Sequence, residues 1–217
     1  YLLCEDFEAA SLPSGWTARG SVSIATDQAK RGMRSLKIGQ APNGERRIVR
    51  DAAGLGAAHW GRIFYRVETP TPGVFVHSTL VALEGNGPGI GVSEYRVVDT
   101  VQDANRMHQF LWNVQPNGAE FGKGSTYDWR FDGEWHCAEW FVDGVNQAYR
   151  FFIDSTEVTQ IAIANGAGNN GTGDSRTHIP MSFTQLRVGW NNYQSASPGF
   201  VAWMDELAVA ATRVGCE

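Results

Sequence analysis

His136-Cys137-Ala138-Glu139-Trp140-Phe141-Val142 runs into Asp143-Gly144, and Gln147-Ala148-Tyr149-Arg150-Phe151-Phe152-Ile153 runs out of it. An Asp-Gly pair between two strand-like segments signals a hairpin, because both residues tolerate the backbone angles a tight turn needs. Upstream, residues 60–67 alternate with period two. Gly61, Ile63, Tyr65 and Val67 fall on one face, and Trp60, Arg62, Phe64 and Arg66 on the other. Strand-like segments recur at 21–25, 34–38, 46–50, 74–83, 91–98, 106–114, 158–162, 185–190 and 201–208. No stretch longer than about ten residues sustains a helical period. A dozen strands without intervening helices predict an all-β antiparallel sandwich, not a βαβ fold.

Composition agrees. The 217 residues suit one β-sandwich domain spanning residues 1–217. Aromatic residues make up 12%, including 8 Trp, which excludes intrinsic disorder. The 25 glycines have no fixed period, which excludes collagen. No apolar run approaches about 18 residues, so no membrane-spanning helix is expected. A net charge of −5 argues against sequence-independent nucleic-acid binding, which needs a basic footprint. Lys30, Lys37 and Lys123 are the only lysines among 18 basic residues. The dominant Arg can bind carboxylates bidentately.

Common chemical signatures are missing. There is no Gly-rich phosphate loop with Lys, no Gly-x-Ser-x-Gly and no His-Glu-x-x-His. Of the three cysteines, Cys4, Cys137 and Cys216, an odd count leaves at least one unpaired within the chain. Cys137 has no Cys-x-x-Cys partner, which argues against a zinc site. Leu2-Leu3-Cys4 matches a lipoprotein processing site poorly. The Gly- and Asn-rich segment from Ala164 to Asp174 reads as a surface loop or a lid over a ligand. It contains the sequon Asn170-Gly171-Thr172.

The stretch from His77 to Trp112 carries the candidate chemistry. Phe75, His77, Thr79 and Val81 share one face by alternation, as do Glu94, Arg96 and Val98 on the next strand. On the third, Arg106, His108, Phe110 and Trp112 oppose Met107, Gln109, Leu111 and Asn113. Each of these residues can be structural. Together, His, Arg, Gln, Trp and Tyr on adjacent strands suit a sugar groove, where aromatic rings stack on pyranose faces and Arg or Gln meets hydroxyls and carboxylates. At the chain ends, Glu8 and Asp205 come together if the first and last strands pair. Two carboxylates plus backbone carbonyls suit calcium, although exposed strand-end acids would look the same.

Three further groups of residues point to a family. Asp6-Phe7-Glu8, Leu12-Pro13-Ser14-Gly15-Trp16 and Gly32-Met33-Arg34-Ser35-Leu36-Lys37 resemble the entry of concanavalin A-like jelly-roll domains. Trp135 to Trp140 with Val142-Asp143-Gly144 resembles their central hairpin. Val188-Gly189-Trp190, Tyr193, Trp203-Met204-Asp205-Glu206-Leu207 and Thr212 to Cys216 are the most specific part. They resemble the glucuronan- and alginate-type polysaccharide lyases of that family, and most closely a fungal cellulose-induced secreted branch. The resemblance implies a jelly roll with a concave groove, a structural calcium on Glu8, Asp205 and the carbonyl of Arg31, and a Cys137–Cys216 disulfide. It also implies groove roles for His77 and Arg96. A second disulfide of that branch has no counterpart here, Cys4 is extra, and no catalytic carboxylate carries over onto residues 99–106.

Two functions follow as expectations. The first is β-elimination on a uronic-acid polymer. Arg96 and Gln109 would neutralise the carboxylate, Tyr193 would serve as base and acid, and His77 or His108 would assist. Trp112 and Trp190 would stack on sugar rings, with Tyr95 also in the binding set. The alternative is a non-catalytic carbohydrate-binding accessory protein of plant cell-wall or cellulose degradation. A purely structural sandwich would not need Arg and His aligned on adjacent strands. The bridge implies export, Cys4 is expected buried in the first strand, and the protein is expected to act on a polysaccharide as a monomer.

Overall fold

The 136–153 hairpin forms as its alternation requires. Its two strands pair from Ala138 with Ile153 to Asp143 with Ala148. The Asp143 carboxylate accepts the N–H groups of Val145 and Asn146, which ties the turn to its own first residue. Gly144 is needed for space: a Cβ there would lie 2.2 Å from the Pro180 carbonyl oxygen.

This is a computed structural model, and it describes residues 1–115, 121–166 and 177–217. The sequon and most of the Gly- and Asn-rich segment lie outside the described residues. Among the described residues there are fifteen strands in chain order: β1 (Leu3–Glu5), β2 (Thr17–Arg19), β3 (Val22–Ala25), β4 (Ser35–Ile38), β5 (Gly44–Asp51), β6 (Ala58–Val67), β7 (Val76–Gly87), β8 (Gly91–Gln102), β9 (His108–Val114), β10 (Phe121–Gly124), β11 (His136–Asp143), β12 (Ala148–Ile153), β13 (Thr156–Glu157), β14 (Phe183–Asn192) and β15 (Ala202–Ala210). The segment at 158–162 is not a strand. Thr159–Ile161 is a short 3-10 turn that buries Ile161.

The strands form two antiparallel sheets. One runs β13-β12-β11-β6-β15-β4-β3, with β1 paired to β15. The other runs β10-β9-β8-β7-β14-β5-β2. The facing apolar sides close on one core. Gly61 on β6 shows how tightly it is packed, because a Cβ there would lie 2.0 Å from the Trp140 indole.

Cys137 and Cys216 are joined by a disulfide, as the resemblance implied. The closed loop of 79 residues contributes about 4 kcal/mol in the chain-entropy account. Cys4 is a correction. Leu3 points inward, so strand alternation turns Cys4 outward, and the thiol is exposed. No helix among the described residues is long and apolar enough to cross a membrane.

Candidate functional site

The side of the seven-stranded sheet turned away from the core carries a groove of about 310 Å3. Its walls include His77, Arg96, Asn113, Gln115, Tyr193 and Phe75. Two β-bulges bring its chemistry together. On β8 the register shifts between Arg96 and Asp99, and the consecutive residues Val97 and Val98 both enter the core. Asp99 is thereby returned to the face of Arg96. On β7 the register shifts around Val81, and Leu80 and Val81 both enter the core. Strict alternation put Val81 and Val98 on the groove face, and the bulges overturn that placement.

His77 and Asp99 form a close pair. His77 Nε2 lies 2.6 Å from Asp99 Oδ2, and the Thr79 hydroxyl donates to Asp99 Oδ1 at 2.6 Å. Asp99 is 1% exposed, so two bonds fix a carboxylate that water does not reach. With Nε2 engaged, Nδ1 is the ring nitrogen left to the groove. Tyr193 follows β14 and is tied back to β7. Its N–H donates to the His77 carbonyl at 3.0 Å, and the His77 N–H donates to Gln194 Oε1 at 2.7 Å. The Tyr193 and His77 ring centroids are 4.8 Å apart.

Arg96 completes the group. Its guanidinium sits 4.0 Å from the Tyr193 ring centroid. It donates to Asn113 Oδ1 at 2.9 Å and to Gln115 Oε1 at 2.7 Å. Below it lies Glu94. The Tyr193 hydroxyl donates to Glu94 Oε1 at 2.8 Å. Arg47 and Arg187 donate to Glu94 Oε2 at 2.8 and 2.9 Å. Burial pushes the Glu94 carboxyl up, but Arg47, the bonds from Arg47 and Tyr193, and Arg96 outweigh it and hold it at about 2. Burial, then the Glu94 charge, pushes the Tyr193 phenol above its ordinary value, against Arg96 and Arg47.

Other expected groove residues lie elsewhere. Trp112 and Trp190 are fully buried in the core, Trp112 against Tyr149 and Trp190 against Phe200, so neither presents a ring to a sugar. Tyr95 is also in the core, its hydroxyl donating to the His178 carbonyl. His108 faces inward, stacked on Trp129, with ring bonds to Thr100 and Gln102. These four residues sit on the apolar side of their strands, and the groove uses the opposite side, that of Gln109, Leu111 and Asn113. Gln109 shares the groove face but lies beyond the pocket, its amide donating to the Tyr127 hydroxyl at 3.0 Å. The exposed aromatic at the groove is Phe75, at 56%. Asp99, Arg47 and Arg187 were not legible as site residues. Glu94 stood on the correct face without an assigned role.

A second cleft of about 380 Å3 lies beside Trp129, His136 and Asp154. Among its ionisable groups, His136 bridges Asp132 and Asp154, and Glu157 pairs with Arg150.

At the chain ends, Glu8 and Asp205 both close on residues 30–34. Asp205 accepts the N–H groups of Lys30 and Arg31, and Glu8 those of Met33 and Arg34. Asp205 is fully buried, and burial pushes its carboxyl up to about 6. Among the described residues no three His, Cys, Asp or Glu side chains cluster as a metal site. Two carboxylates and a loop carbonyl are oxygen donors of the kind calcium takes, and the loop N–H groups bonded to both carboxylates hold them in place.

No family model and no curated protein sequence matches the chain. Solved structures do. "Cellulose induced protein, Cip1" aligns over 99% of this chain and 100% of its own, with TM-score 0.67 and 17% identity. The globular domain of T. cruzi calreticulin aligns over 97% of this chain and 88% of its own, with TM-score 0.58 and 10% identity. The binding domain of botulinum neurotoxin DC in complex with SialylT aligns over 92% of this chain and 43% of its own, with TM-score 0.52 and 10% identity. Identities this low speak for architecture alone, and with the two antiparallel sheets they show that the chain has a concanavalin A-like jelly-roll fold.

Proposed function

We propose that the protein binds an extended polysaccharide in this groove and cleaves a uronic-acid polymer by β-elimination. The observation that carries the proposal is the convergence of an Asp99-held His77, a phenol and an arginine in one groove. The uronate carboxylate is placed at Arg96, whose charge makes the C5 proton more acidic. Gln115 Oε1 is taken up by Arg96, which leaves its amide NH2 to donate to the same carboxylate. His77 Nδ1 takes the C5 proton. The C4–O bond breaks as the C4=C5 double bond forms, and the leaving oxygen takes the Tyr193 proton as the hydroxyl turns from Glu94 Oε1. Return of the proton from His77 to Tyr193 through water restores both groups. Tyr193 is thus the acid, and the base role expected of it passes to His77.

The test is a panel of uronate polymers and neutral glucans. The product of elimination carries a conjugated unsaturated uronate that absorbs in the ultraviolet. Arg96→Ala is expected to abolish that signal. If no uronate polymer yields the chromophore while a neutral glucan saturably quenches Trp fluorescence, the protein is a non-catalytic carbohydrate-binding module.

Two accessory readings accompany it. Calcium would be held by the Glu8 and Asp205 carboxylates and the Arg31 carbonyl. It would supply a positive charge that clamps the first and last strands. A chelator is then expected to lower the melting temperature, by an amount equivalent to about 2.7 kcal/mol where calcium had stood at a hundredfold excess over Kd. Asp205→Asn is expected to remove the response, and identical melting curves with and without chelator would count against the site. The Cys137–Cys216 disulfide supports export to an oxidising compartment.

A further inference from the structure

We propose that Glu94 is a positioning residue that keeps the Tyr193 hydrogen on the phenol oxygen, making Tyr193 a proton donor and not a phenolate base. This deepens the elimination reading and rests on it. The argument is one of hydrogen-bond accounting. A carboxylate offers acceptor sites on two oxygens and has no proton to give. Glu94 Oε2 is filled by Arg47 Nη1 and Arg187 Nη1, at 2.8 and 2.9 Å. Glu94 Oε1 is turned to the Tyr193 hydroxyl at 2.8 Å, with Arg96 Nε at 3.4 Å. Only the phenol hydrogen can occupy the Tyr193–Glu94 contact, since Glu94 stays ionised.

The setting makes this a device and not an incidental contact. Glu94 lies on β8, Arg47 on β5 and Arg187 on β14, so three strands fix one carboxylate. Arg47 is 1% exposed and its charge is met at Glu94. Tyr193 faces charged or titratable groups from several elements: Glu94, Arg96 and Asp99 on β8, His77 on β7, and Arg47 on β5. Arg96 and Arg47 favour the phenolate, and Glu94 and Asp99 oppose it. Glu94 alone among them touches the phenol oxygen through a hydrogen bond to a charged group. Without its charge, burial and Asp99 still oppose the phenolate, but Arg96 and Arg47 meet less opposition and the phenol loses its proton more readily than in wild type.

The experiment needs no substrate. Tyrosinate absorbance is titrated in wild type, Tyr193→Phe and Glu94→Gln, and the Tyr193→Phe curve isolates Tyr193 from the other five tyrosines of the chain. In wild type Tyr193 is expected to titrate above the ordinary tyrosine range. In Glu94→Gln it is expected to titrate about one to two pH units lower than in wild type. An unchanged Tyr193 titration overturns the proposal. If Glu94→Gln does not fold, because buried Arg47 is left with only the more distant Glu45 carboxylate at 3.9 Å, Glu94→Asp serves. It lengthens the contact and is expected to give a smaller shift in the same direction, and no shift there also overturns the proposal. On any polymer that wild type cleaves, Glu94→Gln is expected to lower kcat with KM nearly unchanged and to move the alkaline limb of the rate profile to lower pH. A merely structural Glu94 would lower the melting temperature without moving either titration or profile. Absence of cleavage by wild type would end the elimination reading, and the titration would still decide the role of Glu94.

Discussion

His77 and His108 sit two strands apart in the same sheet, and what lies across from each ring is different. His77 meets the Asp99 carboxylate at 2.6 Å and lines a groove. His108 meets only neutral partners, Thr100 Oγ1 at 3.0 Å and Gln102 Oε1 at 3.1 Å, and is covered by Trp129 and Phe131. Burial pushes the His108 imidazole down to about 3, so it is a neutral filler at ordinary pH. An acid partner and an open side make a histidine a base; alternation gave His77 the open side and the β8 bulge brought it Asp99. The same sequence pattern gave His108 neither.

Asp99→Asn breaks that comparison most directly. It keeps the size of the side chain but can present an amide where His77 needs an acceptor. Turnover on a cleaved uronate polymer is expected to fall about 10^2- to 10^4-fold, the range that positioned acid–base groups contribute. Polymer affinity is expected to hold. Full turnover in Asp99→Asn would remove the distinction between the two histidines. The paired control is His108→Gln, which is expected to spare kcat.

The second prediction concerns acid. The unfolded His108 titrates near 6.5 and the folded one at about 3. The unfolded state therefore binds the proton more readily. The stabilising contribution is complete above about pH 6.5 and is lost as pH falls from there toward 3. Between pH 7 and pH 5 the loss amounts to about 2 kcal/mol from this group. His59, buried and pushed down to about 4, acts in the same direction. The decisive quantity is therefore the difference between wild type and His108→Gln in urea unfolding at the two pH values. Equal pH sensitivity in both proteins would show that His108 is not held neutral by the core.

The contrast also locates where sequence reading ends. The sandwich was legible because 136–153 and 60–67 alternate cleanly and carry a turn pair. The Cys137–Cys216 bridge was implied by resemblance at the C-terminus. The face of a strand, however, is known from sequence only until a bulge. Val97-Val98 and Leu80-Val81 read as ordinary apolar residues in alternating strands, yet each pair puts two neighbours into the core. That single extra residue carried Asp99 to the groove and Val98 away from it. The tryptophans failed for a different reason. Large aromatics serve a core as readily as a sugar site, and only the packed sheets show that Trp112 and Trp190 have no exposure. Arg47 and Arg187 were hidden because their partner, Glu94, lies 47 and 93 residues away in sequence.

The smallest expected effect sharpens the aromatic half of the comparison. Phe75 precedes β7 at the groove, 56% exposed, while Trp112 is fully buried on the other side of the sheet. An exposed ring next to Arg96 and Tyr193 has a free face for a pyranose, and its burial by the sugar releases water from both. Removing such a ring costs affinity of about 1 kcal/mol, close to a fivefold rise in Kd. Phe75→Ala is expected to weaken polysaccharide binding by that factor, measured by titration calorimetry, and to leave the melting temperature unchanged because the ring holds little of the fold. Trp112→Phe should do the reverse, lowering the melting temperature through a core cavity while affinity stays put. If Phe75→Ala binds as wild type does, the sugar rings do not reach this end of the groove. The polysaccharide then runs instead over Leu111 and Gln109 toward Tyr127, the next exposed aromatic on that face.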